Sequence, residues 1–192
     1  MKPLTALALA AAVLVAPATA SAQFAPSPAG TPEQRAAIAR LDFMDGEWRG
    51  TATTYAPGRP PVVLTQTERV GSLLGGSIKV IEGRGYVQDG STQFNAMAIV
   101  GWDQRQGRHT FRSYAMGFQG DYPFEVTADG FKWETPAGPN AKIQYTARVK
   151  DGVWEEDGDY VAEGRPPVRY IELRLKRVGD TAWPAEGAVS PR

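Results

Sequence analysis

The chain has 192 residues, 21 basic and 21 acidic side chains, one histidine and no cysteine. Its charges are scattered, with no block of Lys or Arg, which argues against nucleic acid or an acidic membrane surface as a partner. Without cysteine there are no disulfides, no thiolate metal ligands and no cysteine-borne lipid anchor, so the fold must rest on its core.

Residues 1–22 read as a secretory signal peptide. Lys2 is the basic start, Leu4 to Val15 the apolar stretch and Ala20-Ser21-Ala22 the small-residue cleavage site. The apolar stretch is shorter than the roughly 20 residues of a membrane span, so no membrane anchor is expected. The mature chain then begins at Gln23 and works in the periplasm or outside the cell. Residues 23–30 are rich in Pro, Ala and Ser and read as a flexible leader. Residues 31–178 read as a single domain and 179–192 as a flexible tail.

Thr31-Pro32-Glu33-Gln34 opens a helix. Thr31 can cap it, Pro32 suits its first position and Gln34 can complete a capping box. Ala37, Ile38 and Leu41 share a face, so the spacing predicts about three turns ending near Asp42, lying as a plug against a larger body.

From Glu47 onward the hydrophobic period becomes two. Ten runs alternate: 47–55, 62–71, 77–87, 92–102, 108–116, 122–128, 131–135, 142–150, 153–162 and 168–177. Asp89-Gly90, Asp129-Gly130 and Asp151-Gly152 are hairpin dipeptides. All connections are short, so sequence neighbours should pair antiparallel. Gly58-Arg59-Pro60-Pro61-Val62 recurs as Gly164-Arg165-Pro166-Pro167-Val168. In a closed barrel both turns fall side by side, at the end opposite the helix. Arg59 and Arg165 either attract an anionic ligand to a mouth or belong to two stiffened loops.

Alternation assigns an inner face. It holds Trp48, Gly50, Ala52 and Thr54 in the first run and Phe94, Ala96, Ala98, Val100 and Trp102 in the fourth. It continues with His109, Phe111, Ser113 and Ala115, then Tyr122, Phe124 and Val126, then Phe131 and Trp133. Ile143, Tyr145, Ala147 and Val149, and finally Ile171, Leu173 and Leu175, complete it. The third run is apolar in both phases. Large aromatics mixed with Gly, Ala, Ser and Thr leave either a cavity or an interior closed by the aromatics.

Little in the sequence signals chemistry. His109 points inward as a hydrogen-bonded core residue or, alternatively, as a catalytic base. A His-rich zinc site is excluded by residue count and cysteine ligation is impossible, and no nucleophile elbow surrounds any serine. Glu155-Glu156-Asp157-Gly158-Asp159 alternates between faces, so its carboxylates do not converge. It reads as a solvated strand.

Gly46-x-Trp48 after a short helix, followed by about ten short strands, resembles the calycin superfamily of lipocalins, fatty-acid-binding proteins and nitrobindin-like barrels. Leu41-x(4)-Gly46-x-Trp48-x-Gly50, Leu74-Gly75-Gly76 and Gly101-Trp102-Asp103 look closest to an uncharacterised family of bacterial secreted barrels. The resemblance implies an opening Trp48 packed against an arginine of the last strand, with alternation favouring Arg177 over Arg174. Nitrobindin-like barrels hold haem through a histidine near the C-terminus. This chain has none after His109, so haem held in that way is not expected and His109 could ligate iron only from a different strand; no cofactor is assigned.

The resulting expectation is an all-β, antiparallel up-and-down barrel of about ten strands, calycin-like, with a short N-terminal helix. It would be an exported protein that binds a small hydrophobic or amphipathic molecule without catalysis. The candidate ligand-binding residues are Trp48, Phe94, Trp102, His109, Phe111, Trp133 and Tyr145, with Arg59 and Arg165 at the mouth. No metal ligand is assigned. The alternatives are an isomerase or hydrolase using His109, and a solid barrel acting through its surface.

Overall fold

The computed structural model describes residues 27–186 and 189. The signal-peptide reading of 1–22, most of the leader and the last residues of the tail lie outside them. Helix α1 (Pro32–Ala39) forms as its capping chemistry dictates. Thr31 Oγ1 accepts from Gln34 N–H at 3.2 Å, and Gln34 Oε1 accepts from Thr31 N–H at 2.8 Å. The helix is shorter than its apolar spacing predicts. A one-turn 3-10 helix (Asp42–Met44) follows and carries the chain into the sheet.

Eleven strands then form one antiparallel sheet: β1 (Gly46–Thr54), β2 (Val62–Leu73), β3 (Ile78–Tyr86), β4 (Thr92–Asp103), β5 (Arg108–Ala115) and β6 (Phe118–Tyr122), then β7 (Phe124–Val126), β8 (Gly130–Pro136), β9 (Ala141–Lys150), β10 (Val153–Ala162) and β11 (Val168–Gly179). Neighbours in sequence pair throughout, except between β6 and β7, and β1 pairs with β11, so the sheet curls into a nearly closed up-and-down barrel.

The count exceeds the expected ten because the run 122–128 is divided and extended. Met116 and Gly117 both have positive φ and make a tight hairpin that turns β5 directly into β6. Pro123, which has no N–H to donate, then separates β6 from β7. β6 pairs with β5 and β7 pairs with β8, so one bent segment bridges the two edges of the sheet. The turn chemistry also divides. Asp151 and Gly152 both have positive φ, as the hairpin reading requires. Gly130 does not. It starts β8, where an added Cβ would lie 1.9 Å from the Ala147 carbonyl oxygen, so glycine is needed there for close strand approach.

The two ends of the barrel differ. At the helix end Ile38, Leu41, Met44, Trp48, Val70, Val100, Val149, Trp154 and Leu175 form a closed apolar base. The indole of Trp48 donates to Met44 O at 2.8 Å and meets Trp154 edge to face at 5.7 Å. Trp48 stands opposite Arg177, whose guanidinium donates to Asp45 O. The ambiguous third run resolves here. Ile81 and Gly83 face the interior, whereas Val80 is buried on the other face, paired with Gly71. Gly71 lies under the Trp183 carbonyl, and Arg69 stacks over the Trp183 ring at 4.4 Å, so part of the tail packs on the outside of β2. At the opposite end Val62, Val63, Met116, Phe118 and Val168 are exposed around the rim.

Candidate functional site

Inside the barrel, between the apolar base and the rim, lies a cavity of about 340 Å³. The alternation that builds the strands also builds its wall. Phe94, Ala96 and Ala98 come from β4, Phe111, Ser113 and Ala115 from β5, Phe131 and Trp133 from β8, and Tyr145 from β9. Trp133 and Tyr145 stack at 3.9 Å with planes 9° apart, and Phe111 lies 5.2 Å from Trp133. The small side chains of β4 and β5 face these rings and leave the space open. A mostly apolar enclosure with a few convergent polar groups is the usual form of a small-molecule site. A shallower depression of about 440 Å³ at the closed end runs between Phe43, Asp129, Asp151 and Arg177. It is open to solvent and bordered by turn residues.

Besides Gln66, Ser113, Thr135 and tyrosine hydroxyls, the cavity lining holds two carboxyls. Glu68 of β2 is 8% exposed and Glu156 of β10 is 6% exposed, and both line the interior. Gln66 Nε2 donates to Glu68 Oε1 at 2.7 Å. The Trp133 indole donates to Glu156 Oε1 at 2.7 Å, and the Trp154 indole to Oε2 at 3.1 Å. Gly83 makes room for Glu68, since a Cβ there would sit 2.7 Å from Oε1. Burial pushes the Glu68 carboxyl up to about 8, with the neighbouring Glu156 adding to the effect. Burial likewise raises Glu156, against the two indole hydrogen bonds that favour its ionised form. The Tyr145 hydroxyl is pushed up to about 12, again chiefly by burial. Among the described residues neither Glu68 nor Glu156 forms a salt bridge.

The predicted site residues separate into three groups. Phe94, Phe111, Trp133 and Tyr145 come together on the cavity wall. Trp48, Trp102 and His109 belong to the closed end instead. His109 is buried, its Nε2–H donates to Ala37 O at 3.0 Å, and it packs against Trp102 at 4.9 Å and Phe124 at 6.2 Å. Its inward phase is as expected, but its level along the strand places it under the helix. Burial holds its basicity below the ordinary range, and Arg40 adds to that effect. Arg59 and Arg165 are exposed in their turns, and neither lines the cavity.

The carboxyl pair went unrecognised in the sequence. The acidic run does alternate: Glu155 is exposed, and Asp157 and Asp159 pair with Arg169 on the outer face. Of its carboxylates Glu156 alone points in, and it lines the same cavity as Glu68, which stands three strands away beyond β11 and β1. The signal was polar residues in an apolar phase, as in Leu64-x-Gln66-x-Glu68-x-Val70 and Trp154-x-Glu156.

A family model described as a protein of unknown function (DUF1579) matches residues 33–115. That segment holds the helix, β1 to β5 and Glu68, and ends before Glu156. The chain is also similar to the solved structure titled "Crystal Structure of Rv2717c from M. tuberculosis". Identity is 15%, the TM-score is 0.56, and the match covers 74% of this chain and 97% of that one. At this identity the likeness concerns the fold. No curated protein matches the chain.

Proposed function

We propose that this protein is an exported binder of a small hydrophobic or amphipathic molecule, held inside the barrel. The observation that carries this reading is the 340 Å³ interior cavity with its stacked aromatic wall. Apolar burial supplies the affinity, at roughly 25 cal/mol per Å² of ligand surface removed from water, less the cost of association. The signal-peptide pattern of residues 1–22 supports export, and the calycin-like opening at Gly46-x-Trp48 accords with a carrier. The open interior distinguishes this reading from a solid barrel. The isomerase or hydrolase reading draws no support from His109, whose Nε2–H is committed to Ala37 O away from the cavity.

Native mass spectrometry of protein recovered from the exported fraction tests the proposal. The expected result is a chain starting at Gln23 with a retained small molecule. Ala96→Trp fills the cavity from β4 and is expected to abolish retention while leaving the fold intact. Retention unchanged in a folded Ala96→Trp variant would place the ligand elsewhere.

A further inference from the structure

The base of the cavity has more hydrogen-bond acceptors than donors. Glu68 and Glu156 bring four carboxyl oxygens. The protein donors that reach them are Gln66 Nε2 and the indoles of Trp133 and Trp154. All three are neutral, and the two indole N–H groups are spent. Glu68 Oε2 accepts no hydrogen bond from the described residues, although Glu68 is only 8% exposed. Two buried carboxyls without a cation are costly, and natural interiors normally pair such groups. Aromatic side chains surround them: Trp133 and Trp154 reach Glu156 through their indole N–H edges, and Tyr145 stacks on Trp133.

We infer that the cavity selects a hydrophobic amine, whose protonated nitrogen sits at its base between Glu68 and Glu156. This rests on the reading of the cavity as a ligand site and names its ligand class. An ammonium supplies the missing donors and the missing positive charge together. A carboxylate head would meet two acids and no cation at this depth. A neutral head brings no charge to complement the two acids.

Three probes with one hydrophobic body and different heads test this: 2-(1-naphthyl)ethylamine, 2-(1-naphthyl)ethanol and 1-naphthylacetate. Each is titrated into the purified protein by isothermal calorimetry at pH 8. The amine is expected to bind at least tenfold more tightly than the alcohol, with the acetate weakest. In the Glu68→Gln, Glu156→Gln double variant, the amine is expected to lose its tenfold advantage over the alcohol. An alcohol or acetate that binds as well as the amine overturns the amine assignment and leaves the cavity reading standing. No binding by any of the three overturns both. Because the head-group order is measured on the unaltered protein, the test holds even if the double variant does not fold.

Discussion

The closed end and the cavity of this barrel each bury ionisable groups, and they treat them in opposite ways. At the closed end Lys79 is fully buried, and its ammonium reaches three oxygens: Asp42 at 2.8 Å, Asp45 at 2.6 Å and Ser72 at 2.9 Å. In the cavity Glu68 and Glu156 have only neutral partners. The closed end is thus satisfied from within, whereas the cavity lacks a complement of opposite charge. A site kept for a ligand is distinguished from a structural core less by its polarity than by that missing complement.

The largest test of this contrast removes the satisfaction at the closed end. Asp42→Asn with Asp45→Asn leaves Lys79 charged and buried without a carboxylate, and should cost about 3 kcal/mol in urea unfolding at neutral pH. The corresponding change in the cavity should act the other way. Glu68 titrates near 8 when folded against an ordinary 4.5, so between those values the folded state keeps a proton that the unfolded chain has lost. Stability from this group is therefore full below about pH 4.5 and falls as pH rises towards 8, at up to about 1.4 kcal/mol per pH unit. The charged or titratable neighbours acting on it are Glu156 from β10 and Glu82 from β3, both acidic and both opposing its ionisation. Glu68→Gln should flatten that limb of the curve and stabilise the protein at pH 8. An unchanged pH profile would show that Glu68 ionises freely in the fold.

His109 provides the mirror image. Burial lowers its folded pKa, so the unfolded chain takes up a proton first as pH falls below 6.5. The closed end then loses stability with acid while the cavity gains it. His109→Gln should remove that acid loss, at the cost of about 1 kcal/mol near pH 8 for the altered contact with Ala37 O. Thermal melts across pH for both variants separate the two limbs. The smallest effect belongs to the rim. Arg59→Glu with Arg165→Glu alters exposed turn residues and should shift stability by less than about 0.5 kcal/mol. Stopped-flow binding should show a modestly faster on-rate for a cationic probe and none for a neutral one.

The architecture was largely legible from periodicity. Alternation from Glu47 onward assigned strands and inner faces, because a side chain's face depends on the local phase of the backbone. The capping box at Thr31 was equally local. The two-residue hairpin at Met116-Gly117 was missed because a Met at positive φ carries no turn signature. The break at Pro123 was missed because its effect depends on which edge each half of the segment joins.

Among site residues, Phe94, Phe111, Trp133 and Tyr145 could be placed on one interior wall by phase alone. His109 and Trp102 have the same phase but a different height, and height in a barrel follows from stagger between strands, which alternation does not encode. Glu68 and Glu156 are 88 positions apart in the chain. Their meeting required closure of the sheet through β1 and β11. Face is thus written locally in this sequence, whereas level and partnership across the interior are set by register and closure, which are long-range properties of the folded barrel.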